Sequence, residues 1–172
     1  MGGSTIWLGL VRGIGPASHR VMPLRALRDR CEEAGLGEVQ SLLATGNLLF
    51  RSDLPAEGIR AALDGAIRSF GLDNPVILRR PGDLAGVVAR PPFPEAAAER
   101  PAQMLVQFLP GAAPAGAEAM LRDRAGPEQV CVIGREVYID YRAGVGRSAL
   151  SPAFLERALG QSGTARNWNT LL

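Results

Sequence analysis

The order of hydrophobic patterns predicts an α+β chain made of two similar halves, and three observations carry that expectation. Short runs that alternate or are apolar on both faces are interleaved with stripes at helical spacing. Glycine closes most of the helical stripes. The densest cluster of prolines, at 91–101, interrupts the pattern near its middle.

Thr5–Val11, apolar on both faces, reads as a strand covered on both sides. After a glycine-containing loop, Pro23 opens a helix in which Leu24, Leu27, Cys31 and Ala34 share a face. Arg25/Asp29 and Arg28/Glu32 form i,i+4 pairs elsewhere on it, and Gly35 closes it. Val39–Leu43 and Leu48–Phe50 flank Ala44-Thr45-Gly46-Asn47 and read as an antiparallel hairpin. Pro55–Phe70 carries Ile59, Leu63, Ala66, Ile67 and Phe70 on one stripe, and Asn74–Arg80 is a fourth strand. The order is β-α-β-β-α-β, the ferredoxin-like arrangement. A short helix is expected over 81–90.

In the second half Gln103–Leu109 reads as a strand, followed by a helix ending near Arg124. Val130–Ile133 and Glu136–Tyr141 surround Gly134-Arg135, a two-residue turn of the kind that joins hairpin strands. Ser151-Pro152 supplies an N-cap and a proline at the first helical position, and Gly160 ends that helix. A last helix is expected from about Thr164 to the end, so the second half lacks a clear last strand. The expected organisation is a ferredoxin-like half at 1–90, a Pro-rich boundary at 91–101 and a second half at 102–172. Halves this small bury little surface alone, so the two are expected to pack together.

Of 172 residues, 19 are Arg and none is Lys, against 17 Asp+Glu and one His. The lack of Lys removes Schiff-base chemistry and a Walker-type loop, and a single His removes multi-His metal sites. No metal or cofactor is expected. A net charge of +2 is too small to mark a polyanion surface by itself. Cys31 and Cys131 lie in apolar patterns and read as reduced thiols of a cytoplasmic protein. No run approaches the ~18 apolar residues of a membrane span, and the first ten residues lack the basic start of a signal peptide.

Gly13-Ile14-Gly15-Pro16-Ala17-Ser18 is a poor dinucleotide fingerprint, because Ser18 replaces the third glycine; it reads as a surface loop. His19 has no sequence partner and reads as a spectator. Asp140, between Tyr138 and Tyr141, lacks the second carboxylate of an acid/base pair. Trp7 echoes the stacking residue of an RNA-binding first strand without the other aromatics. Gly144–Ser148 offers backbone donors with Arg147 and Ser148 beside them, which suits an anion or a plain connection. At the end of the chain, Arg166, Asn167 and Asn169 crowd around Trp168, either as a structural lock or as a ligand surface.

Thr164-Ala165-Arg166-Asn167-Trp168-Asn169-Thr170, together with Leu10–Ile14, Thr45–Phe50 and Ser148–Glu156, resembles the bacterial domain-of-unknown-function family 1697. The resemblance implies two ferredoxin-like halves and brings no established activity. The family commonly continues its Gly-Ile with Asn and a Gly-Gly pair, where this chain has Gly15–Ser18. The functional expectation is a non-enzymatic module for a small anionic ligand, nucleotide or nucleic acid. Its site would draw on Arg12, Asn47, Arg147, Ser148, Arg166, Asn167, Trp168 and Asn169, with Arg12, Asn47, Arg166 and Asn167 near one another. The alternatives are a scaffold acting through homo-oligomerisation or a sheet edge, and an enzyme of unassigned reaction.

Overall fold

The computed structural model describes residues 4–172. Its elements divide into two compact units at Leu84/Ala85, and each is built on a four-stranded antiparallel sheet.

In the first unit, β1 (Thr5–Val11), β2 (Gly37–Leu42), β3 (Asn47–Ser52) and β4 (Val76–Arg79) lie in the order β2-β3-β1-β4. With α2 (Leu24–Glu33) and α3 (Ala56–Arg68) between them, this is the ferredoxin-like topology. The two-faced pattern of β1 has its cause here. Trp7 and Val11 join Leu48, Phe50 and Leu78 in a core with Leu27 and Cys31 of α2 and Ile59, Leu63 and Ile67 of α3. Leu8, Leu10, Ile77 and Arg79, on the alternate face by the pleat, are buried as well.

The segment expected as a plain loop contains an additional helix, α1 (Pro16–Val21). Pro16 fits its first position, and the Ser18 hydroxyl accepts from the Gly15 N–H at 2.8 Å. The hydrophobic periodicity of α1 is silent because it has fewer than two turns and buries no residue. His19 makes a structural contact. Its Nε2 lies 2.9 Å from the Ala44 carbonyl and ties α1 to the β2–β3 turn.

That turn depends on Gly46. Its carbonyl accepts from Val11 N–H at 2.9 Å, its φ is +79°, and a Cβ there would lie 2.5 Å from Ile14 Cγ1 and 3.0 Å from the Val11 oxygen. Gly35 also has positive φ, at +93°, but open space around it. Gly35→Ala therefore isolates the backbone preference, about 1 kcal/mol, while Gly46→Ala adds overpacking of about 1–3 kcal/mol. Urea unfolding of the two variants side by side checks the difference, and equal losses would contradict it.

The second unit holds α5 (Pro94–Glu99), β5 (Met104–Phe108), α6 (Ala117–Arg124), β6 (Gln129–Ile133), β7 (Glu136–Asp140), α7 (Pro152–Leu159), β8 (Thr164–Asn167) and α8 (Trp168–Leu171). The helix α4 (Pro81–Ala89) spans the division between the units. The sheet order β6-β7-β5-β8 repeats that of the first unit. Gly134 opens the β6–β7 turn at φ 59°, and the Ser151 hydroxyl caps α7 from Phe154 N–H at 3.2 Å.

One expectation fails at the C-terminus. Thr164–Asn167 does not begin a helix; it pairs with β5 as the fourth strand, and only Trp168–Leu171 turns helically. Four residues are too few for strand periodicity to register, and Thr164 resembles an N-cap. The true N-cap is Asn167, whose Oδ1 accepts from Thr170 N–H at 3.1 Å.

Candidate functional site

At the end of the second sheet where β5 begins and β7 and β8 end, polar groups converge. The corner between α5 and β5 is fixed on two sides, by Tyr141 N–H on the Gln103 carbonyl at 2.9 Å and by Trp168 N–H on the Pro101 carbonyl at 3.1 Å. This corner sets Arg100 against Asp140, the last residue of β7.

Asp140 is completely buried. Arg100 donates from Nε to Oδ1 at 3.0 Å and from Nη2 to Oδ2 at 2.6 Å, and Arg142 donates from Nε to Oδ2 at 3.3 Å. The Arg100 fork is planar and two-pronged, which makes it the strong form of this interaction. Its bond to Asp140 is the main influence raising the Arg100 pKa above its ordinary value. A cavity of about 230 Å³, lined by Glu95, Arg100 and Arg142, opens beside the pair. Arg142 is half-exposed, and its two Nη atoms have no hydrogen-bond partner among the described residues.

The residues expected from the sequence fall in both units. Arg12 and Asn47 belong to the first, at the same end of its sheet, since Leu10 pairs with Asn47 and Arg12 follows Val11. Asn47 is buried and donates from Nδ2 to the Leu42 carbonyl at 3.2 Å and to Thr45 Oγ1 at 2.9 Å, which shapes the hairpin turn. The remaining six residues belong to the second unit. Ser148 Oγ accepts from Leu150 N–H at 3.0 Å, while Arg147 ends a 3-10 turn and is exposed. Trp168 is buried and Asn169 is exposed.

Arg166 sits on β8 opposite Val106 and is buried, with Nη1 donating to Thr164 Oγ1 at 2.7 Å and to the Ala165 carbonyl at 2.9 Å. Burial pulls its pKa down to about 10, so it remains charged at neutral pH. The first unit has the same device. Arg79 stands on β4 opposite Leu8, is buried, and donates from Nη1 to the carbonyl of its own preceding residue, Leu78, at 2.9 Å.

Arg100 and Arg142 escaped the sequence reading, the first because it lies in the Pro-rich segment, the second because no pattern marks it. The available signal was the i,i+2 spacing of Asp140 and Arg142 at a strand end, which puts both on one side of the chain.

Tandem ferredoxin-like units define an α+β architecture that hosts many unrelated activities, so the class does not name a chemistry. A family model described as a protein of unknown function (DUF1697) matches residues 5–138, and the chain belongs to that family. The matched span ends before the 164–170 motif. Among solved structures the chain is similar to the conserved bacterial protein SP0830 from Streptococcus pneumoniae, at 16% identity and a TM-score of 0.73, covering 98% of this chain and 95% of that one. That likeness concerns the fold. No curated protein matches the sequence. No helix among the described residues is long and apolar enough to cross a membrane, and no group of three or more His, Cys, Asp or Glu among them is arranged to hold a metal ion.

Proposed function

We propose that the second unit is a binding module for a small anionic ligand, taken up at the Arg100–Arg142 cleft. The single observation that carries this reading is the use of buried Asp140 as an anchor. It holds Arg100 by two bonds and Arg142 by its Nε alone, which leaves the Arg142 Nη atoms free beside a cavity of about 230 Å³. A guanidinium fixed at Nε presents its remaining edge to a phosphate or carboxylate with little further loss of side-chain freedom. Glu95, on the cleft wall, favours a ligand that carries an amino or hydroxyl donor beside its anionic group.

Binding is a better use of this geometry than proton transfer. Both Asp140 oxygens accept from guanidinium groups, and the phenol of Tyr138, two residues away, has its pKa raised to about 12 by burial. The two thiols are free, and Cys31 is buried, which suits the reducing cytoplasm that we propose as its compartment.

The test is a thermal-shift screen over nucleotides, phosphorylated metabolites, amino acids and short RNA or DNA, followed by two variants. A ligand at 100 times its Kd adds about 2.7 kcal/mol of stability. Arg142→Gln should abolish that shift and leave the unliganded protein nearly as stable. Arg166→Gln should lower stability and leave the ligand shift intact, because its Nη1 is engaged with Thr164 and Ala165. A shift that survives Arg142→Gln and disappears with Arg166→Gln would move the site to the C-terminal strand.

A further inference from the structure

The outer strand of the second sheet is β6, whose Gln129, Cys131 and Ile133 face β7 partners Asp140, Tyr138 and Glu136. Across a two-residue turn these alternate pairs exchange the ladder bonds, so the backbone groups of Val130 and Val132 point away from the sheet. Such an edge templates pairing with another chain unless something covers it.

The neighbouring helix covers it. Ala117 and Leu121 of α6 pack into the core, and the positions following each, Glu118 and Arg122, overhang the edge. Glu118 Oε2 accepts from Val132 N–H at 2.7 Å, and Arg122 Nε donates to the Val130 carbonyl at 3.1 Å. The two side chains also pair with each other at 2.7 Å. One acid and one base thus occupy one of the two outward donors and one of the two outward acceptors that a further strand would use.

The first sheet protects its equivalent edge differently. Glu32 of α2 accepts from Val39 N–H at 3.2 Å, and β2 itself is irregular, with a register shift between Gly37 and Gln40 and Glu38 at φ 51°. An irregular strand pairs poorly whether or not a side chain covers it. By contrast β6 is regular, has no Pro or charged residue, and reads Gln-Val-Cys-Val-Ile.

We propose that β6 is a pairing edge kept closed by the Glu118–Arg122 clasp, and that the occupant it takes when opened is β6 of a second copy of this chain. The outward groups of Val130 and Val132 are symmetric about Cys131. An antiparallel two-fold pairing would therefore set Val130 against Val132 of the other copy at both ends and bring the two Cys131 residues opposite each other. In that non-hydrogen-bonded position Cα atoms stand about 4.5 Å apart, within disulfide range. The scaffold alternative weighed from the sequence thus acquires a specific strand and a specific guard.

The experiment compares the full chain with the Glu118→Ala/Arg122→Ala double variant by light scattering over a concentration series, with circular dichroism confirming the fold. The expected result is a single-chain mass for the unaltered protein and a concentration-dependent doubling for the variant, with a Cys131 disulfide between copies on mild oxidation. Adding Val132→Pro, which removes an outward N–H without touching the ladder to β7, should restore the single-chain mass. A folded variant that remains single-chain, a dimer indifferent to Val132→Pro, or a dimer without the Cys131 crosslink would each overturn the proposal. Should the double variant fail to fold, Glu118→Ala alone is read by the same three measurements.

Discussion

Raising the pH from 9 to 12 should unfold both units, because each keeps protons in its core that the unfolded chain releases. Burial pushes the Cys31 thiol from 9.0 to about 12, and the Tyr138 and Tyr141 phenols from 10.0 to about 12. Below about pH 8 all three groups are protonated in both states, and they add nothing to the pH dependence. Between the unfolded and folded values the native state binds more protons, so stability falls as pH rises, by about 1.4 kcal/mol per pH unit for each group. The two tyrosines together then remove about 5 kcal/mol from the second unit by pH 12, comparable with the whole stability of a small domain. Tyr141 is the more exacting of the two, since its hydroxyl donates to the Leu150 carbonyl at 2.9 Å and a phenolate could not.

Arg166 would act in the opposite direction if it lost its proton, because burial lowers its pKa to about 10. Its Nη1 nevertheless donates to two oxygens, and a guanidinium keeps its proton in proteins. Circular dichroism and phenolate absorbance followed together from pH 8 to 12 check the expectation: the two signals should change in one transition. Tyr141→Phe should move the alkaline midpoint upward and make the transition less steep. Phenolate absorbance that rises near pH 10 while the dichroism stays native would contradict the argument.

The parts of the fold that were legible in the sequence are those whose burial has a period. Ile59, Leu63, Ala66 and Ile67 are spaced for one helical face, and all four are buried on α3. Ser151, Pro152 and Gly160 announce the ends of α7 through local chemistry that needs no knowledge of the tertiary structure. The strand β8 was not legible, because Thr164–Asn167 owes its conformation to its ladder with Phe108–Leu105 and not to its own side chains, two of which are polar enough to suggest a cap. The helix α1 was hidden for a related reason: its anchors are a Ser18 hydroxyl and a His19 ring contact, neither of which is periodic.

The candidate site was legible in composition but not in membership. Without Lys, any cationic recognition had to come from Arg, and the cleft does contain Arg100 and Arg142. Which Arg residues serve could not be read, since the closest pairing, Arg100 with Asp140, joins residues 40 apart through the corner at Pro101 and Gln103. The dense polar run at 164–170 drew attention because its residues are adjacent. Its Asn167 caps a turn, and its Arg166 donates to the backbone and to Thr164. Asp140 was weighed from the sequence only as one half of an acid/base pair, and its partners in the structure are instead the guanidinium groups of Arg100 and Arg142.

Asp140→Ala should be the most damaging single change in the second unit outside its apolar core, with a loss of about 2 kcal/mol in urea unfolding. The loss is less than for a fully buried pair because Arg100 and Arg142 are partly exposed. The carboxylate is fully buried and accepts three bonds, so its removal leaves the Arg100 fork facing a void, while the backbone contacts at Gln103 and Pro101 still hold that corner in place. Arg100 keeps about a quarter of its side chain exposed and lies 3.8 Å from Glu99, so water and that carboxylate compensate it in part. The rest of the loss is that of a cation left without its nearest counter-charge. Arg100→Met in the Asp140→Ala background should therefore recover part of the stability, and the double-mutant cycle separates the coupling from the burial. Asp140→Asn preserves the shape without the charge and should fall between. If the cleft depends on this anchor, Asp140→Asn also weakens the ligand shift that Arg142 supports, because an amide cannot hold two guanidinium groups as a carboxylate does. A loss under 1 kcal/mol for Asp140→Ala, or no recovery with Arg100→Met, would mean that the corner is held by its backbone bonds alone, and the anchoring role assigned to Asp140 would fall with it.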